Sequence, residues 1–157
     1  MQSSQVVVKG IHHTSRTVSD MDRALSFYAG LLGMEVVLDT EMAGEMLSRE
    51  VALENAHLRL VELAPADRSF LLELLQYLQP VGSPYPADAR CCDVGADHVA
   101  LVVGDIREAY RTLTAQGVRF TCEPQEVDAG FFRGHWTAYC YDPDGMVVEL
   151  WQLPSAV

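Results

Sequence analysis

Residues 6–18 are rich in β-branched side chains and read as a strand, ended by Ser19 or Asp20, either of which can cap a helix by accepting a backbone N–H bond. Beyond them Met21, Ala24, Leu25, Phe27, Tyr28, Leu31 and Leu32 recur at three- and four-residue spacing, the period of one helix face. Gly33 follows where a left-handed C-terminal cap is expected. Residues 34–39 read as a short strand and residues 42–47, with Gly44 among them, as an irregular connection. Strands are expected at 49–53 and 57–63 around a turn at Glu54-Asn55-Ala56. After a turn at 65–69, the dense apolar run 70–77, interrupted by Glu73, closes this half.

Residues 79–95 hold Pro80, Gly82, Ser83, Pro84, Pro86 and Gly95, a composition that breaks helix and strand alike. The order of elements then repeats: strand 97–103, helix 105–116 ending at Gly117, strand 118–121, a loop, strand 135–141, the turn Asp142-Pro143-Asp144-Gly145 and strand 146–152. The halves align residue by residue. His13 precedes Asp20 as His98 precedes Asp105, Ala24 matches Ala109, and Gly33 matches Gly117 after a one-residue gap. At the far ends Leu72-Glu73-Leu74-Leu75-Gln76 matches Val148-Glu149-Leu150-Trp151-Gln152. A repeat of this length is too long for a solenoid unit. It predicts an α+β fold of two tandem β-α-β-β-β modules whose sheets curl into half-barrels, with module one at 6–78, a linker at 79–95 and module two at 96–153 of a single domain.

Glu149 changes the picture from fold to chemistry. An ionised carboxylate in an apolar strand costs several kcal/mol, on the order of 3–5, unless it is paired, protonated or bound to a metal. Its candidate partners are His13, Glu73 and His98. Composition narrows the rest. With 157 residues, 49% hydrophobic and 21% charged, one soluble domain is expected, in the cytoplasm: no apolar run approaches a membrane span, and Met1-Gln2-Ser3-Ser4 lacks the features of a secretory leader. A formal charge of −11 argues against nucleic acid as a partner. The four cysteines contain no C-x-x-C, so reduced, buried thiols are expected.

Four groups of residues together resemble the vicinal oxygen chelate superfamily, which includes glyoxalase I, methylmalonyl-CoA epimerase, extradiol dioxygenases and fosfomycin- and bleomycin-resistance proteins. They are His13-x6-Asp20-Met21-Asp22-Arg23-Ala24 with Phe27-Tyr28 and Leu32-Gly33; Glu73-Leu74-Leu75; His98-Val99-Ala100 with Asp105-Ile106; and Asp142-Pro143-Asp144-Gly145 with Glu149-Leu150. The resemblance runs from about residue 7 to 153 and implies the glyoxalase/bleomycin resistance/dioxygenase fold. It also implies metal ligands from the first and last strand of each module, here His13, Glu73, His98 and Glu149. His12 competes with His13, but only His13 matches His98, and neighbouring strand residues point to opposite faces.

Two imidazoles and two carboxylates suit one divalent ion of the Ni, Co, Mn, Fe or Zn group. The resemblance then implies a lyase or isomerase that abstracts a proton next to a carbonyl through a metal-stabilised enediolate or enolate, with Glu149 and Glu73 as the base pair and Glu149 preferred. Alternatives are a metal-dependent dioxygenase or resistance transferase, which would need three ligands and not Glu73, or a non-catalytic protein that sequesters small molecules. The residues after Glu73 lack the Thr-x-Asn-Trp continuation of glyoxalase I, and Gln79-Pro80-Val81-Gly82-Ser83-Pro84 resembles epimerase-like members. Residues 131–136 either border the cavity mouth or pack two rings onto the core, and Arg16 and Arg133 are candidates to face an anionic substrate. The expected partners are a small-molecule substrate and a second copy of the chain, with modules pairing within one protomer or across the dimer.

Overall fold

The structure, a computed structural model, describes residues 5–154; the opening Met1-Gln2-Ser3-Ser4 lies outside them. The chain divides into two compact units, Met1–Gly82 and Ser83–Val157. The first contains β1 (His13–Thr17), α1 (Met21–Leu25) running on into a wider helical turn at Ser26–Leu31, β2 (Glu35–Ala43), α2 (Glu45–Glu50), β3 (His57–Ala64) and β4 (Leu71–Gln79). The second contains β5 (His98–Val102), α3 (Ile106–Ala115), β6 (Gln125–Glu126), β7 (Trp136–Tyr141) and β8 (Val147–Gln152). Each unit forms a four-stranded mixed sheet, in the orders β1-β4-β3-β2 and β5-β8-β7-β6.

The two sheets share one register. β1 runs parallel to β4 with His13 opposite Leu71 and Ser15 opposite Glu73; β5 runs parallel to β8 with His98 opposite Val147 and Ala100 opposite Glu149. Side chains two apart on a strand share a face. Each histidine therefore stands diagonally across from the glutamate of its own module.

A second device also repeats. Asp20 and Asp105 cap α1 and α3, accepting the backbone N–H of Arg23 at 2.9 Å and of Glu108 at 2.9 Å. The amides at the first helical positions, Met21 and Ile106, donate instead to the side chains of Gln76 and Gln152, at 3.1 and 2.7 Å. The closing strand of each module is thereby tied to the start of its helix. The helices end as expected, Gly33 and Gly117 taking φ of 71° and 84°, where a Cβ would be strained.

Four expectations need correction. Residues 5–12 carry no regular structure, and Val6, Val7, Val8 and Ile11 are exposed, because the ladder with β4 begins at His13 and β-branched residues without a paired neighbour do not make a strand. Residues 42–47 continue β2 into α2, which takes the place of the strand expected at 49–53. The run Glu45-Met46-Leu47-Ser48-Arg49-Glu50 favours helix, and Leu47 packs against Ala56 and Leu58. Residues 118–121 form only an isolated bridge, Phe120 to Cys140, while the loop holds the two-residue β6. Of the thiols only Cys140 is buried; Cys91, Cys92 and Cys122 lie in irregular segments and are exposed, and all four are free.

Core packing explains why the repeat is legible. In the first unit Met21, Tyr28, Val61, Leu63, Leu72 and Leu74 are fully buried; in the second Ile106, Cys140, Val148 and Leu150 are. Arg16 belongs with them. It is 3% exposed and its guanidinium donates to the Tyr28 hydroxyl at 2.9 Å, so it braces β1 against the helical turn and does not face a substrate.

Candidate functional site

On β1 and β4, His13 Nε2 lies 3.7 Å from Glu73 Oε1; on β5 and β8, His98 Nε2 lies 3.1 Å from Glu149 Oε2. The imidazoles are 39% and 43% exposed, the carboxylates 13% and 9%, so each pair sets a half-open nitrogen beside a largely buried oxygen. His12 does not compete for this place. Its Nδ1 meets Nδ1 of His13 at 2.9 Å, which leaves Nε2 of His13 turned to the carboxylate.

The two glutamates have different surroundings. The Thr137 hydroxyl donates to Glu149 Oε1 at 2.6 Å, a short charge-assisted bond that fixes one oxygen and leaves the other toward His98. Directly across the sheet from Glu149 stands Tyr139, whose ring tilts over His98 with centroids 5.3 Å apart. At the matching places of the first unit stand Leu60 and Glu62, Glu62 directly opposite Glu73. Glu73 thus has no hydroxyl tether of this kind and faces a second carboxylate. Of the partners expected for Glu149, His98 is in contact; Thr137 is one that sequence reading missed, although Thr137, Tyr139 and Tyr141 alternate onto one face of β7.

Burial, then the charge of Glu149, then Cys91 push the Tyr139 phenol above its ordinary value. In the unfolded chain this tyrosine loses its proton near pH 10, so between there and the raised value the folded state holds more protons and loses stability as pH rises. Below pH 10 the contribution is fully present. An absorbance titration of the metal-free protein is expected to show the Tyr139 phenol ionising late, and Glu149→Gln to move it back toward its ordinary value; an unmoved late phenol would assign the shift to burial and Cys91.

Adjacent ligand atoms around an ion that holds each at about 2.1 Å sit about 3 Å apart. The 3.1 Å between His98 Nε2 and Glu149 Oε2 matches that spacing, and the first pair lies wider. Imidazole nitrogen with carboxylate oxygen is a donor set for first-row divalent ions. Within either unit the described residues gather no third His, Cys, Asp or Glu to such a pair.

Beside His98 the second unit opens a cavity of about 110 Å³ whose wall includes Tyr85, Arg90, Asp97 and Tyr139. The segment 131–136 does not line it. Phe131 is 93% exposed, and Phe132 meets the Trp151 ring edge-on at 5.3 Å, so one ring points to solvent and the other packs on β8. Arg133, in the same turn, is exposed.

Residues 10–150 match the model of the Glyoxalase/Bleomycin resistance protein/Dioxygenase superfamily. The chain is 32% identical over 151 residues to a 2-epi-5-epi-valiolone epimerase from Actinomyces, covering 92% of this chain and 80% of that protein. It is 28% identical over 140 residues to a lactoylglutathione lyase from Arabidopsis thaliana, of which it spans only 43%. Among solved structures, a glyoxalase family protein from Bacillus cereus superposes with a TM-score of 0.82 at 19% identity, over 97% of this chain and 99% of that one, a likeness of fold.

Proposed function

Because the chain belongs to the glyoxalase/bleomycin resistance protein/dioxygenase superfamily, we propose that it is a divalent-metal-dependent isomerase or lyase that moves a proton on the carbon beside a carbonyl, with His13, Glu73, His98 and Glu149 as the ligands of one ion. The observation that carries this reading is the repetition of one histidine–glutamate pair, in one register, in both modules. When bound, the ion supplies Lewis-acid polarisation of the substrate carbonyl, which acidifies the neighbouring C–H. The chain's own groups handle the proton. One carboxylate accepts it as the C–H electron pair moves toward the carbonyl, and a carboxylate returns it. Return to the opposite face inverts the carbon and makes an epimerase; return to a neighbouring carbon makes an isomerase or lyase of the glyoxalase kind. Epimerisation is the reading we favour, since the epimerase relative is 32% identical to this chain, against 27% for a lactoylglutathione lyase from Salmonella typhimurium that is matched over an equal share of this chain.

Metal analysis of the purified full chain tests this directly. One divalent ion per chain is expected, lost in His13→Ala and in His98→Ala, together with deuterium uptake beside the carbonyl of an α-hydroxy ketone in heavy water. A stable chain that takes up no Ni, Co, Mn, Fe or Zn, and binds apolar compounds instead, would replace the enzyme with a sequestering protein.

A further inference from the structure

Glu149 is a long, flexible side chain on a strand that offers it few handholds. On its face of the second sheet Ala100 stands directly opposite on β5 and Tyr139 directly opposite on β7, with Val147 and Trp151 its neighbours along β8. Ala100 and Val147 carry no polar side chain. The Tyr139 ring leans over His98, and the Trp151 ring lies against Phe132 and His135. The donor that does reach the carboxylate comes from the diagonal: Thr137, opposite Trp151, donates to Oε1 at 2.6 Å. Threonine is β-branched and stiff about its first side-chain bond, whereas glutamate gives up much rotamer freedom when it is ordered. A rigid group therefore holds a flexible one, and the free oxygen, Oε2, is left 3.1 Å from His98 Nε2.

Folding does not ask for a hydroxyl at this place. The first module has Leu60 there, opposite Leu75 as Thr137 is opposite Trp151, and Leu60 packs against the cluster of Leu47, Ala56 and Leu58. One register position is thus filled by an aliphatic chain in one copy and by a hydroxyl in the other. The copy with the hydroxyl is the one whose histidine and glutamate stand at ligand spacing, 3.1 Å against 3.7 Å.

We propose that Thr137 is a positioning residue of the centre: by holding Oε1 it sets Glu149 Oε2 beside His98 Nε2 before any ion binds, so that the second module contributes a preorganised half of the site. The proposal rests on the reading of His98 and Glu149 as metal ligands. Thr137 acts on metal binding and turnover through Glu149, without itself touching ion or substrate.

Cobalt(II) affinity of the metal-free full chain, measured by competition with a chromophoric chelator and by direct titration where it is weak, tests this beside kcat and KM for deuterium exchange into an α-hydroxy ketone. Thr137→Val keeps the shape and loses the donor. It is expected to weaken cobalt binding about 10–100-fold, the usual effect of removing the outer partner of a ligand, and to lower kcat at saturating cobalt about tenfold with KM within about twofold. Thr137→Ser returns the donor and is expected to stay within about threefold of the unsubstituted chain in both measures. In Glu149→Ala, where no carboxylate is left to hold, adding Thr137→Val is expected to change cobalt affinity less than about twofold. Should Thr137→Val fail to fold, Thr137→Ala is read against Thr137→Ser in the same way. Unchanged cobalt affinity and kcat in Thr137→Val overturn the proposal and leave the metal centre standing. So does a loss that Thr137→Ser does not restore, or one that persists in full without Glu149, since Thr137 would then act through the packing of β7. An unsubstituted chain that binds no cobalt and exchanges no deuterium removes the ligand reading and the proposal with it.

Discussion

Glu149→Gln is expected to lower turnover by a factor of about 10² to 10⁴, the usual contribution of a positioned general base, while the protein stays folded and keeps part of its metal affinity. The amide is nearly isosteric with the carboxylate. Its oxygen can still accept from the Thr137 hydroxyl, which now lies 2.6 Å from Oε1, and its NH₂ can face the His98 nitrogen that now lies 3.1 Å from Oε2. No buried polar atom loses its partner, so unfolding does not explain a loss of activity. Glu73→Gln should behave differently in degree. Glu73 lacks a hydroxyl tether like that of Glu149 and faces Glu62 across the sheet, so neutralising it also relieves a like-charge pair, and stability is expected to hold or rise slightly. The measurement is kcat for deuterium exchange in heavy water together with bound metal for each variant. Wild-type turnover in both would remove these two carboxylates from the chemistry.

That asymmetry marks the boundary of what sequence shows. The residue pairs His13 with Glu73 and His98 with Glu149 are visible because a duplication writes the same signal twice, and because helix period, cap and terminal glycine agree within each copy. Register follows from the same signal. What differs between the copies is hidden, since it depends on which side chains of the neighbouring strand share a face: Thr137 and Tyr139 in one module, Leu60 and Glu62 in the other. Local elements were legible only where periodicity ran long enough. The six residues of α2 span less than two turns, so no face emerges, and β-branched residues at 6–8 promise a strand whose ladder partner begins too late. The exposure of Cys91, Cys92 and Cys122 is set by loops that composition alone does not shape.

Breaking the buried contact between Arg16 and Tyr28 is expected to cost the most stability per atom removed. The matching positions of the second module, three and fifteen residues after its histidine, are Leu101 and Leu113, both buried; the first module holds a charged guanidinium and a phenol where its copy holds two aliphatic chains. Tyr28→Phe deletes one acceptor from a buried cation and is expected to cost about 1.5–3 kcal/mol, the range for a hydrogen bond to a charged group. Arg16→Leu removes the charge and one hydrogen-bond donor to the buried phenol, for about 1–3 kcal/mol. The double variant should cost less than the sum of the two, with a coupling of about 1–3 kcal/mol, because the apolar pair that replaces them is of the kind the second module already uses. Denaturant unfolding of the four proteins gives the cycle. Strictly additive costs would mean that the contact carries no energy of its own. Arg16 lies on β1 three residues beyond His13, and β1 is the first strand in its sheet's order, paired with β4. Loss of this brace is therefore expected to reach the site, weakening metal binding through His13 in Arg16→Leu without touching a ligand.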